Sequence, residues 1–292
     1  MNADAAFVTG KTHRVCQDYA RADMEGKYVI LSDGCSSSTD TDFGARLIVK
    51  SVENAIHDPK SADPTDLFTY AQPRLLPPLS GIANAVHAAR VLQLSDYALD
   101  ATLLMARYVE SAIVLQTSGQ DDVIAKGIEV TVYGDGFIAG RKRDGTVEGY
   151  KVEYASGYPQ YPSYRLSVER QARLHELTNG NPPNLERWLL DKEPKQLKWD
   201  RGQPNDSYHC FYFPIRDYDL VAIFSDGAGS FTEGTNSIPW QTIVREMMDF
   251  GPAMKGEFIQ RQMNWAVKEY VKRKWSHADD FTMGAINIGG IE

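Results

Sequence analysis

The sequence predicts a single α+β domain in which antiparallel sheets carry helices on their outer sides. Three observations lead there. Apolar runs of strand length meet through short polar turns, helical stretches come in consecutive pairs, and strict strand–helix–strand alternation is absent. Length agrees with this: 292 residues suit one large domain or two small ones. No repeat, low-complexity tract or interdomain linker divides them, so residues 1–292 are read as one unit.

Along the chain, the first strand signal is residues 27–32, an apolar run stopping at Asp33-Gly34. After a polar loop, Ala45, Leu47, Ile48, Val52, Ala55 and Ile56 recur at helical spacing, predicting a helix over 43–57 with Asp42 as its N-cap. Alanine-rich residues 80–92 predict a second helix. Residues 100–109 and 127–133 read as a strand pair, the latter ending at Gly134-Asp-Gly136. A hairpin turn at 141–145 then leads into a strand over 147–152. Residues 154–213, rich in Pro, Tyr and Trp, read as a less regular segment. Residues 219–225 form a buried strand ending at Asp226-Gly227. Two helices follow over 240–250 and 256–274, the second placing Phe258, Met263, Val267, Tyr270 and Val271 near one face. Residues 281–288 close the chain as a strand preceded by Asp279-Asp280.

Composition narrows the function classes. With 42% hydrophobic and 24% charged residues the chain can bury a substantial core. Its 39 acidic against 31 basic residues give a net charge of −8, opposite to what a phosphate-coating nucleic-acid binder shows. No run approaches the roughly 18–20 apolar residues of a membrane helix, and residues 1–14 lack the basic cap and apolar stretch of a secretory signal. Cys16, Cys35 and Cys210 are widely spaced and odd in number, which excludes a disulfide framework or a CxxC zinc site. The expectation is a cytoplasmic protein with no nucleic-acid or membrane partner.

The chemistry-bearing pattern is an aspartate at a strand end beside glycine: Asp33-Gly34, Asp135-Gly136 and Asp226-Gly227, with Asp279 opening the last strand. One Asp-Gly pair is usually only a turn. Repeated at strand ends, it suggests carboxylates gathered in one place, where they repel unless cations neutralise them. Oxygen-only ligands suit hard ions such as Mg²⁺ or Mn²⁺.

In order, Gly10-Lys-Thr-His-Arg-Val-Cys-Gln-Asp18, Leu31-Ser-Asp-Gly34, Ala101-Thr-Leu-Leu104, Tyr133-Gly-Asp-Gly136, Phe224-Ser-Asp-Gly227 and Asp279-Asp-Phe-Thr282 resemble the motif series of the PP2C-type metal-dependent Ser/Thr protein phosphatases, in their divergent bacterial branch. The resemblance spans residues 10 to 288. It implies a four-layer α-β-β-α sandwich, two antiparallel sheets flanked by helix pairs, with a two-metal site between the sheets and a variable flap-like segment at about 154–213. It implies that Asp33 bridges two Mg²⁺ or Mn²⁺ ions, that the Gly34 carbonyl binds one, and that Asp226 and Asp279 hold the second. Asp33, Asp226 and Asp279 are thus its catalytic carboxylates. By the same match, Asp18 acts through water on a metal, Asp135 belongs with Asp226 to a more labile third ion, and Asp280, replacing the commoner asparagine, supports the ligands from behind. His13 stands at the position of the family's phosphate-binding arginine with Arg14 beside it, so both are candidate phosphate contacts. Gln17 replaces the usual glutamate, and Cys35 replaces a histidine proposed as general acid in animal members.

The implied activity is hydrolysis of phosphoserine or phosphothreonine on a protein partner, in signalling opposite a Ser/Thr kinase. His13, Gln17 and Cys35 keep open a pseudophosphatase that binds phosphoproteins without turnover, and a third reading keeps the hydrolase but makes its substrate a small phosphorylated metabolite. His277 is a further candidate for supporting Asp279. Tyr154, Tyr158, Tyr161 and Tyr164 form either a rigid peptide platform or an ordinary packed loop.

Overall fold

Strand side chains alternate between faces, so each buried strand here must satisfy two different neighbours. A computed structural model describes residues 1–57, 76–115, 121–154, 156–166, 168–178, 184–189, 195–197, 208–251 and 254–289. The chain begins with β1 (Asn2–Val8), β2 (Tyr19–Ala22) and β3 (Tyr28–Ser32), then α1 (Thr41–His57) and α2 (Leu76–Val91). Four strands follow: β4 (Leu103–Leu115), β5 (Asp121–Tyr133), β6 (Gly136–Lys142) and β7 (Val147–Glu153). Next come α3 (Val168–Thr178), β8 (Asn184–Leu189), β9 (Lys195–Leu197), β10 (His209–Pro214) and β11 (Tyr218–Phe224). The last elements are β12 (Phe231–Glu233), β13 (Asn236–Ser237), α4 (Trp240–Met248), α5 (Phe258–Lys272), β14 (Trp275–His277) and β15 (Phe281–Asn287).

Among the described residues the strands form two large sheets, ordered β1-β15-β11-β6-β7-β8-β9 and β10-β5-β4-β3-β2, and a small one, β13-β12-β14. Alternation sorts their side chains into layers. Val29, Leu31, Leu104, Val130 and Val132 of the five-stranded sheet pack against Ile138, Val221, Ile223 and Ile286 of the seven-stranded sheet. On the opposite faces, Tyr28, Ile30, Leu103 and Met105 meet α1 and α2. Phe137, Leu220, Phe224, Met283 and Ala285 meet α4 and α5. The fold is therefore the expected helix–sheet–sheet–helix sandwich. Pairing β1 with β15, from Asn2↔Asn287 to Val8↔Phe281, brings the two ends of the chain together.

The structure corrects several local expectations. Helix α1 starts at Thr41, placing Asp42 in its first turn rather than at the cap. Asp40, with φ 59°, turns the chain into the helix, and its carbonyl accepts from the amides of Phe43 and Gly44. Helix α2 begins at Leu76 and includes Pro77 and Pro78, because a first turn does not use the amide that proline lacks. Val271 is 69% exposed, while Ile259 and Ala266 complete the buried face of α5. Residues 154–213 are also more ordered than composition suggests, supplying α3, β8, β9 and β10. Those strands are short: β8 pairs with β7 and β10 with β5, while β9 pairs only with β8. Residues 155, 167, 179–183, 190–194 and 198–207 of that segment lie outside the described residues.

Candidate active site

The candidate aspartates come together where strands of both large sheets end. Asp33 follows β3, Asp226 follows β11 and opens a short 3₁₀ turn, and Asp279 precedes β15. Asp135 occupies the turn between β5 and β6, flanked by Gly134 and Gly136 at φ 85° and 143°. A Cβ on Gly136 would lie 2.8 Å from the Phe224 carbonyl oxygen, so only glycine lets this turn approach β11 so closely.

Asp18, just before β2, is fully buried. Its Oδ2 accepts a 2.6 Å hydrogen bond from Thr282 Oγ1, whereas Oδ1 has no hydrogen-bond partner. Asp33 is fixed through its backbone: its amide donates to Thr102 Oγ1 at 3.1 Å and its carbonyl accepts from the Thr102 amide at 2.8 Å. Thr102 and Thr282 lie within the matching motifs, but neither residue by itself marks such a role. Only folding brings Thr282 to Asp18.

The carboxylates act on one another through their charges. Burial, then the charges of Asp18 and Asp226, push the Asp33 carboxyl far above the ordinary carboxylate range. Asp135 rises through burial and the charge of Asp226. Asp18 rises through burial, with the Thr282 hydrogen bond opposing the change. Asp226 is the most open of the group to solvent.

Asp280 has a different place. Its side chain is 1% exposed, and it ties the Gly10–Gln17 loop to the last strand. Oδ1 accepts from the Gly10 amide at 2.7 Å, Oδ2 accepts from the Gln17 amide at 2.6 Å, and His13 Nδ1 lies 2.9 Å from Oδ2. A Cβ on Gly10 would stand 2.3 Å from the Asp279 carbonyl carbon, so glycine permits this loop to sit against the strand. His13 Nε2 is 3.6 Å from Asp279 Oδ1, so the imidazole bridges two carboxylates. Burial lowers its pKa, but these carboxylates outweigh burial and leave it above the ordinary value. Arg14 is exposed on the same loop.

Gln17 turns its side-chain amide to Thr41 Oγ1, 3.0 Å away at the start of α1. His277 Nδ1 lies 2.7 Å from the Asp279 carbonyl oxygen. Cys35 Sγ is 3.1 Å from Ser37 Oγ. Burial raises this thiol, yet hydrogen bonds with Ser37 and Tyr161 prevail and leave it below its ordinary value. Tyr154 and Tyr161 are buried while Tyr158 is exposed, and Tyr161 stacks on Tyr164 with centroids 5.8 Å apart. The four tyrosines are thus mostly packed, with one facing solvent.

Among the described residues, no three His, Cys, Asp or Glu side chains already form a closed metal-binding group. The donors nevertheless fit a hard divalent cation. They are carboxylates set near one another, His13 and Lys151 are the cations whose charge reaches Asp226, and Asp18 keeps a buried oxygen without a donor.

Fold and site together define a two-sheet α+β sandwich with a group of aspartates at the strand ends. The family model described as Protein phosphatase 2C matches residues 10–155, and the chain belongs to that family. A bacterial serine phosphatase has the same fold at TM-score 0.56 and 13% identity, covering 100% of this chain and 99% of its own. The serine/threonine phosphatase Stp1 from Staphylococcus aureus matches at TM-score 0.53 and 12% identity, covering 99% and 95%. PppA, described as a key regulatory component of T6SS in Pseudomonas aeruginosa, matches at TM-score 0.50 and 12% identity, covering 97% and 96%. No curated protein matches the sequence significantly. Among the described residues, no helix is long and apolar enough to cross a membrane.

Proposed function

We propose that this protein is a cytoplasmic phosphoprotein phosphatase, one unit over residues 1–292, that hydrolyses phosphoserine and phosphothreonine left by a Ser/Thr kinase. It would work with two Mg²⁺ or Mn²⁺ ions and a more labile third. The observation that carries this reading is the gathering of Asp18, Asp33, Asp135, Asp226 and Asp279, with a buried Asp18 oxygen lacking a donor. A stability-driven fold has no use for such mutual repulsion.

Asp33, Asp226 and Asp279, with the Gly34 carbonyl, would hold the principal ions, and Asp18 and Asp135 would complete the acidic surround. When bound, such ions lower the pKa of water and neutralise charge developing at phosphorus, so no protein nucleophile is required. The chain's own residues orient this set. Thr282 aims Asp18, Thr102 fixes the Asp33 backbone, and Asp280 holds the Gly10–Gln17 loop in place. Arg14, exposed on that loop, can reach a phosphate with paired N–H donors. Cys35 stands where animal members have the histidine proposed as general acid, so another group or water would protonate the leaving oxygen.

The test is hydrolysis of an aryl phosphate with Mn²⁺, Mg²⁺ or EDTA, with Asp226→Ala as control. Metal-dependent turnover that vanishes in the variant is expected; equal turnover in EDTA or in Asp226→Ala would overturn the assignment. One observation favours the binding-module alternative: His13 is engaged by Asp279 and Asp280, which leaves Arg14 alone for the phosphate. Folded protein that binds Mn²⁺ and a phosphopeptide without turnover would decide for it.

A further inference from the structure

Asp100 is a buried carboxylate that divides its oxygens between two parts of the fold. It lies in the short connection between a 3₁₀ turn (Asp96–Leu99) and β4, with its side chain 5% exposed. Oδ2 accepts a 3.0 Å hydrogen bond from Ser38 Oγ, and its backbone carbonyl accepts from the Cys35 amide at 2.8 Å. Both donors belong to the loop that leaves Asp33, and Gly34 bridges Ala101, the residue after Asp100. Asp100 Oδ1 takes the other direction and pairs with the Arg170 guanidinium, from the first turn of α3.

Arg170 is itself confined. Its guanidinium carbon stands 4.5 Å from the centre of the Tyr164 ring and 5.5 Å from that of Tyr97. Tyr164 in turn stacks on Tyr161. A buried carboxylate needs a paired cation, and breaking such a pair is strongly unfavourable because the remaining charge has no water. The same charge that demands Arg170 also holds Ser38. The position of α3 and the position of the Cys35–Ser38 loop are therefore set by one carboxylate.

We propose that Arg170 is a positioning residue: through Asp100 it latches the tyrosine-rich segment and α3 onto the Cys35–Ser38 loop, and so holds the Asp33–Gly34 turn in its working geometry. Arg170 acts from behind and does not touch the substrate. The latch stands without any catalytic reading. Its effect on turnover rests on the phosphatase function proposed above.

Two readouts of Arg170→Gln separate these halves. Amide hydrogen exchange at Cys35 and Ser38 is expected to quicken about 10-fold, with β6 and β11 amides unchanged, because only the local closure is lost. Turnover of an aryl phosphate is expected to show kcat reduced about 10-fold with KM changed less than about 2-fold, as for a displaced catalytic group. Arg170→Lys keeps a cation for Asp100 and should restore most of the protection at Cys35. Should Arg170→Gln fail to fold, Tyr164→Leu leaves the ion pair and removes only the ring beneath it; a smaller change in the same direction is expected. Unchanged exchange at Cys35 and Ser38 overturns the latch. A KM effect with unchanged kcat overturns the positioning role, since it would make Arg170 a substrate contact. If the unmodified protein hydrolyses nothing, the phosphatase reading fails, and the exchange experiment alone decides the latch.

Discussion

Two acidic regions of this molecule are treated in opposite ways. On β7, Glu148 is 1% exposed, and it is met by Arg187 Nη2 at 2.8 Å, by the Tyr218 hydroxyl and by Lys142 Nζ at 3.9 Å. Nearby, Arg141 grips Asp219 with two hydrogen bonds of 2.9 and 3.0 Å. At the strand ends, Asp18, Asp33 and Asp135 have chiefly other carboxylates as charged neighbours, and burial with the charge of Asp226 pushes their carboxyls upward. Under the function proposed above, the region left repelling is the one that would take a ligand of opposite charge.

That contrast can be broken by substituting one residue from each side. Asp33→Asn should lower metal-dependent hydrolysis by on the order of 10³-fold, about 4 kcal/mol in the barrier, while the melting temperature holds or rises because a like charge is gone. Glu148→Ala should do the reverse: turnover near normal, and stability lower by roughly 1–2 kcal/mol, since the buried Tyr218 hydroxyl loses its acceptor while part-exposed Arg187 and Lys142 turn to water. Thermal melts and initial rates on both variants read the result. Equal stability losses at the two sites would dissolve the distinction.

A smaller effect concerns His209, buried on β10 against β5. Burial lowers its pKa from 6.5 to about 4. The fold keeps the imidazole neutral while the unfolded chain takes up a proton below pH 6.5, so this residue costs no stability above that pH. Stability is then lost as pH falls from 6.5 towards 4, by up to about 3 kcal/mol. Denaturant melts across that range should show the decline, and His209→Phe should flatten it. The mildest test is addition of Mn²⁺ to the unmodified protein. Binding only to the folded cleft stabilises by about 2.7 kcal/mol at a hundredfold excess over Kd. Asp33→Asn should lose most of that gain and Glu148→Ala should keep it.

Much of the fold was legible because its signals are local. The run before Asp33, the hairpin around Gly145 and the two late helices are each set by neighbours in sequence, and each lies close to where periodicity places it. Strands β8 to β10 were not legible, since short segments amid prolines and tyrosines become strands only when β7, β8 or β5 supplies a ladder. The strand-end aspartates were found because Asp-Gly at the end of an apolar run is a local pattern. What holds them was not. Asp18 depends on Thr282, Asp280 on the amides of Gly10 and Gln17, and Asp100 on an arginine 70 residues away.

Short-range periodicity was therefore enough to read antiparallel sheets with helices outside them and to pick out the strand-end aspartates, because those features are encoded locally; the four-layer order came from the family resemblance. Folding in space was needed to learn that His13 faces Asp279 and Asp280, that Gln17 turns to Thr41, and that one buried carboxylate joins α3 to the Asp33 loop. Charge pairing and dehydration act across space, and the distances that govern them exist only once the chain has folded.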